Sequence, residues 1–153
     1  MNYSTEINLA DWQAVLKQAG LANVFHTPDY FEAQASPQVG HELLYMCCYD
    51  GTRPVGIIAG YLNKSGYHEG LVEVGTKSGG YPVMIDEYDH RPDADEIKNE
   101  FILHYSKQYL ESRPFVFYPC FNMRRSAFDL GYLSCSRQMD SCAFIDLAKD
   151  EDI

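Results

Sequence analysis

Leu71-Val72-Glu73-Val74-Gly75-Thr76-Lys77-Ser78-Gly79-Gly80-Tyr81-Pro82 joins a short apolar run to a segment with three glycines and a proline. Leu71 to Gly75 reads as a strand, and the glycines after it mark a tight change of direction. Two more β-type runs precede it. His41 to Tyr49 is compact and apolar, Asp50-Gly51 is a strong hairpin turn, and Pro54 to Leu62 is the second run. Asn63 to Glu69 reads as a polar loop. Before the hairpin, Leu9, Trp12, Val15, Leu16 and Ala19 recur at helical spacing. Asn8 is placed to cap that helix, with Asp11 as a shortened capping box and Gly20 as its end. Thr27-Pro28-Asp29 opens a second helix, which runs through Ala35 and stops before Pro37.

Beyond Pro82 the reading is a long polar segment containing Asp86-Glu87-Tyr88-Asp89-His90. Asp93 or Asp95 then opens the longest helix, with Ile97, Phe101, Ile102, Tyr105 and Tyr109 as its buried stripe. Pro114 stops it, and Phe115 to Tyr118 is a short central strand. Asn122 caps a short helix that ends at Gly131, and Leu133 to Gln138 and Cys142 to Leu147 close the chain as strands. Hairpin strands at the front and a strand–helix–strand crossover predict an α/β (α+β) fold. Its sheet is mixed, mostly antiparallel, with helices on both faces.

Composition narrows the function classes. At 153 residues the chain supports one well-buried core. Apolar content of 46% and charged content of 22% are those of a globular protein. A formal charge of −10 argues against DNA or RNA as partner, which a basic face would bind. No apolar run approaches the roughly 20 residues that span a bilayer, and Met1 to Glu6 has no signal-peptide character. The five cysteines form no Cys-x-x-Cys pair, and several sit in apolar runs such as Leu43 to Cys48. They read as reduced, buried thiols of a cytoplasmic protein, with no metal-ligand spacing.

Asn122-Met123-Arg124-Arg125-Ser126-Ala127-Phe128-Asp129-Leu130-Gly131-Tyr132 resembles the GNAT acyltransferase stretch in which Asn opens the fourth helix and Gly-Tyr or Gly-Phe closes it. Val24-Phe25-His26-Thr27-Pro28-Asp29-Tyr30-Phe31 is similar to the entry into the second helix of FemAB-like transferases. Those enzymes build peptidoglycan cross-bridges from two GNAT-like halves. The Asp50-Gly51 hairpin, Gly80-Tyr81-Pro82-Val83-Met84 and Ala143-Phe144-Ile145-Asp146-Leu147 also resemble theirs. The resemblance implies that residues 1–147 form one GNAT-like domain, with 148–153 a tail or the start of a linker to a second half. It implies a module that helps hold an amine-bearing acceptor, a small molecule or peptidoglycan precursor, and that is not catalytic alone. Partners would be a second GNAT-like half or a homodimer mate. No cofactor is then expected. A stand-alone N-acetyltransferase using acetyl-CoA or another acyl-CoA is the first alternative, and a non-catalytic interaction domain is the second.

The site residues follow from this. GNAT enzymes hold the coenzyme A pyrophosphate with a Gln/Arg-x-x-Gly-x-Gly/Ala loop at a helix N-terminus. Here Lys77-Ser78-Gly79-Gly80 offers glycines without that spacing, and acidic residues follow. Ala127 or Phe128 stands where many GNAT enzymes carry a proton-donating Tyr, and neither can donate. Glu73 is the one candidate general base, against the plainer reading of an outward strand carboxylate. His26, Lys77 and Tyr81 are candidate substrate contacts, Tyr81 as the most exposed of them in its glycine-flanked loop. His41, His68 and His104 show no partner in the sequence.

Overall fold

The computed structural model describes residues 1–34, 40–76 and 79–120. The expected helix at Asn122, the two closing strands, Ala127, Phe128, Lys77 and the tail 148–153 lie outside the described residues.

Strand β1 (Asn2–Ser4) begins the chain, followed by α1 (Leu9–Leu16), a 3-10 turn (Val24–His26) and α2 (Pro28–Gln34). Next come β2 (His41–Asp50), β3 (Arg53–Asn63), β4 (Val72–Val74), β5 (Val83–Met84), α3 (Asp86–Asp89), α4 (Ala94–Tyr109) and β6 (Phe115–Phe117). The sheet order is β1-β2-β3-β4-β6, with β5 pairing β3 further along the same edge as β4. All pairs are antiparallel except β4 with β6. The mixed, mostly antiparallel sheet expected from the sequence is therefore present.

The hairpin forms as its sequence dictates: Asp50 pairs with Arg53, and Gly51 takes a positive φ of 59°. Period-two alternation sends Tyr45, Cys47 and Tyr49 to one face and Leu44, Met46 and Cys48 to the other. Trp12 of α1 stacks on Tyr45, with ring centroids 4.8 Å apart, while the Tyr49 hydroxyl donates to Asp11 Oδ2 at 2.8 Å. On the opposite face Tyr105 of α4 donates to Leu44 O, and Phe101 stacks on Tyr3. Helices thus cover both faces, and the core is made where Trp12, Val15 and Phe31 meet one side and Phe101, Ile102 and Tyr105 the other.

Several local expectations are corrected. β1 and β5 are strands that single-sequence alternation could not reveal at three and two residues. They exist because β2 and β3 offer backbone partners. α1 ends at Leu16, not Gly20. Gly20 N instead donates to Asp86 Oδ1 at 2.6 Å. Asn8 caps α1 as expected, accepting from Ala10 N and Asp11 N, but Asp11 turns to Tyr49 and closes no capping box. The polar stretch Asp86–Asp89 is a helical turn with Tyr88 buried. Its Asp89 forms a buried ion pair with Lys98 of α4. Asp93 occupies the N-cap position of α4 without capping it, since its carboxylate binds Arg91.

Candidate functional site

Two neighbouring groups of residues occupy the α1/α2 face beside β4. The first surrounds Tyr81. Glycines 79 and 80 bring the chain back against the end of β6: Tyr81 N donates to Tyr118 O at 2.9 Å and Cys120 N donates to Tyr81 O at 3.0 Å. Tyr118 N donates to Val74 O at 3.0 Å, so backbone bonds run unbroken from β4 across to residues 118–120. Gly75 turns the chain out of β4 with φ +75°, and a Cβ there would come within 2.6 Å of Gly79 O. At Gly80 a Cβ would collide with the Pro119 carbonyl, so glycine is required by close approach to the protein's own backbone.

His26 ties this segment to the start of α2. Its Nδ1 accepts from Asn23 N at 3.0 Å, which leaves the proton on Nε2 to donate to Gly80 O at 3.1 Å. The His26 carbonyl accepts from Trp12 Nε1 at 2.8 Å, and its ring meets Tyr81 edge-on at 5.1 Å. Burial lowers the His26 pKa, with the Gly80 and Asn23 hydrogen bonds opposing the shift. Tyr81 is 0% exposed, which corrects the expectation that it is the most exposed candidate. The aromatic ring gains more by packing with His26 and Phe31 than the glycines gain by presenting it to water. Its buried hydroxyl has no hydrogen-bond partner among the described residues, and burial raises its pKa. His26 and Tyr81 are thus brought together with Gly79 and Gly80, but as a packed wall.

The second group centres on Glu73. The register sets Tyr61 directly opposite it on β3 and Val116 opposite it on β6. Tyr61 Oη donates to Glu73 Oε2 at 3.1 Å, and Asn63 Nδ2 donates to Glu73 Oε1 at 3.0 Å. Burial and then the carboxylate raise the Tyr61 pKa, keeping that hydroxyl a donor. Tyr30 of α2 lies close enough for Glu73 to add to the rise that burial causes in its pKa. Tyr30 in turn contributes to the shift at Tyr81, so the two groups adjoin. Glu73 is therefore a half-buried, hydrogen-bonded carboxylate and not a plain outward one. Sequence reading missed Tyr61, Asn63 and Tyr30. For Tyr61 and Asn63 the one signal was the strand period, which gives faces but not the β3–β4 register that joins them to Glu73.

The histidines given no partner from sequence have them. His41 stacks on Tyr61 at 4.6 Å, His104 on Tyr3 at 4.1 Å, and His68 meets Tyr67 edge-on. Cys47, Cys48 and Cys120 are free and buried, with burial pushing the last two thiols up to about 12. Among the described residues no group of His, Cys, Asp and Glu is arranged to hold a metal ion, and no helix is long and apolar enough to cross a membrane.

The described residues fit a coenzyme A pyrophosphate poorly. The N–H groups of Gly79 and Tyr81 donate to the protein's own backbone, at Thr76 O and Tyr118 O, and the first turn of α4 carries Asp95 and Glu96 behind Asp93. Such carboxylates complement a helix N-terminus themselves and repel a phosphate there.

No protein-family model matches the chain, and no curated protein sequence does. Solved structures do. The apo aminoglycoside 6'-N-acetyltransferase of Acinetobacter haemolyticus superposes with a TM-score of 0.51 at 11% identity, over 95% of this chain and 97% of that one. An aminoglycoside acetyltransferase from an uncultured soil metagenomic sample, in complex with sisomicin, gives 0.51 at 16% identity, over 94% and 93%. The aminoglycoside 6'-N-acetyltransferase of Enterococcus faecium matches 72% of this chain with a TM-score of 0.47 at 14% identity, and the chain spans only 56% of that enzyme's length. At these identities the likeness establishes architecture: the chain has the fold of the GNAT acetyltransferases.

Proposed function

We propose that the chain is the N-terminal GNAT-like half of a FemAB-like acyl- or aminoacyltransferase, which helps hold an amine-bearing acceptor and does not complete the reaction alone. The observation that carries this reading is the closure of Gly79 onto Thr76 and of Tyr81 onto residues 118–120, where an open phosphate cradle would otherwise be needed. The stretches resembling FemAB-like transferases around Pro28 and Tyr81 support it. The amine-binding side is Glu73 with Tyr61 and Asn63, and Lys77 is assigned to a phosphorylated part of the acceptor. His26, Gly79, Gly80 and Tyr81 back this surface from behind. In transfer the amine nitrogen forms a bond to the acyl carbon, the donor's thiol or hydroxyl leaves, and the amine proton goes with it. A second GNAT-like half, or a second copy, would present the donor. The three buried free thiols suit a cytoplasmic setting.

A second reading, a stand-alone acyl-CoA-dependent N-acetyltransferase, is favoured by the superposition on acetyltransferases over more than nine-tenths of both chains. Thermal melting with acetyl-CoA from micromolar to millimolar separates the two. A ligand at ~100 times its dissociation constant adds roughly 2.7 kcal/mol of stability. That corresponds to a rise of about 5–10 °C at this chain length. We expect no rise, and a saturable one would replace the half-enzyme reading with the second.

A further inference from the structure

Glu73 sits amid neutral hydrogen-bond donors, the Tyr61 hydroxyl and the Asn63 amide. Among the described residues no lysine or arginine pairs with it, whereas Arg53, Lys64, Arg91 and Lys98 are engaged with Glu87, Glu42, Asp93 and Asp89. Its two oxygens each accept one neutral donor, from Tyr61 and Asn63. A carboxylate has about four lone-pair sites, so each oxygen keeps capacity for another donor. We propose that this group is an ammonium-recognition site, in which Glu73 anchors the acceptor as a protonated primary amine attached to a flat apolar body.

Four features of the geometry carry the assignment, which rests on the acceptor-holding reading above. The first is preorganisation. Asn63 Nδ2 also donates to Leu71 O at 3.1 Å, and the Asn63 backbone bonds to Leu71 O and Gly70 N. Asn63 is thus a positioning residue that fixes the carboxylate before a ligand arrives. The second is the surrounding aromatic surface. Tyr61 stacks on His41 at 18° between planes, and Tyr30 and Tyr118 lie close enough to influence its hydroxyl. Ring faces attract cations, by about 0.5–2 kcal/mol according to how dry the site is. The third is access: Val116, the register partner of Glu73 and so on the same face, is 37% exposed. The fourth is the chain's charge of −10, which draws cations to the surface generally and leaves selection to this site.

A carboxylate already holding two donors suits holding a cation better than taking its proton, so the role differs from that of a general base; the ammonium has no lone pair, and its extra proton passes to water before the neutral amine attacks. The test compares 2-phenylethylammonium with its neutral counterpart 2-phenylethanol at constant ionic strength, by titration calorimetry and by amide NMR shifts near Glu73. The cation should bind the intact chain roughly tenfold more tightly than the alcohol, as expected for a charge-assisted hydrogen bond. Glu73→Gln should erase that preference with melting temperature retained, and Asn63→Leu should reduce it. Equal binding of the two probes overturns the proposal, as does unchanged cation preference in Glu73→Gln. If Glu73→Gln does not fold, the wild-type preference together with its location at Glu73 by NMR decides. A chain that binds both probes alike yet transfers acyl groups with its second half keeps the half-enzyme reading and loses this one. A saturable acetyl-CoA response with cation preference intact does the reverse.

Discussion

At the scale of single residues, His26 and Tyr81 show how burial decides roles that residue type leaves open. His26 satisfies Asn23 N and Gly80 O at once only as the neutral imidazole with its proton on Nε2. Its folded pKa is lowered, so the unfolded chain takes up a proton below about pH 6.5 that the folded chain resists. The stabilisation is complete above that value and is lost progressively as the pH falls towards the folded pKa. Urea midpoints at pH 7.5 and 5.5 should show a drop in the wild type that is smaller in His26→Gln; equal drops would show that His26 is not the titrating group. Tyr81→Phe removes a buried hydroxyl that has no partner among the described residues, so it should be neutral or stabilising by up to about 1 kcal/mol. A loss of more than that would reveal a partner for the hydroxyl. The glycines around Tyr81 signalled a turn correctly, but nothing in the local sequence says whether the aromatic faces water or the core.

At the scale of elements, caps and ion pairs can be ranked. Asn8→Ala should cost about 0.5–2 kcal/mol by removing the acceptor for Ala10 N and Asp11 N, measurable by chemical denaturation. Lys98 and Asp89, both nearly inaccessible, join α4 to the turn of α3. Lys98→Met alone takes the ammonium away from the buried Asp89 and should cost about 3–5 kcal/mol, whereas Lys98→Met with Asp89→Leu should recover much of it. A double variant no better than the single would show that the pair's surroundings, and not the missing ammonium, set the loss. α1, α2, α4, β2, β3, β4 and β6 were legible because long periodic runs and good punctuation identify them. β1, β5 and α3 were not, since two to four residues carry too little pattern and form only where a neighbour completes their bonding.

For the molecule as a whole, the aromatic seam between α1, α2 and the sheet should behave as one unit. Trp12→Ala removes contacts with Phe31 and Tyr45 and the bond to His26 O, and should cost about 3–5 kcal/mol. Its melting temperature should then fall by about 6–20 °C in calorimetry; a fall under a few degrees would mean the seam yields locally. The sequence by itself determined the order of the longer elements from α1 to β6, the tight Asp50-Gly51 hairpin, the Asn8 cap and the mixed sheet, because these depend on neighbours within a few residues. Only the tertiary structure decided that Glu73 meets Tyr61 and Asn63, that Tyr81 is buried, and that Tyr81 closes against residues 118–120. Those outcomes depend on strand register and on competition for burial between segments far apart in the chain. A local pattern carries no information about either until the sheet is assembled.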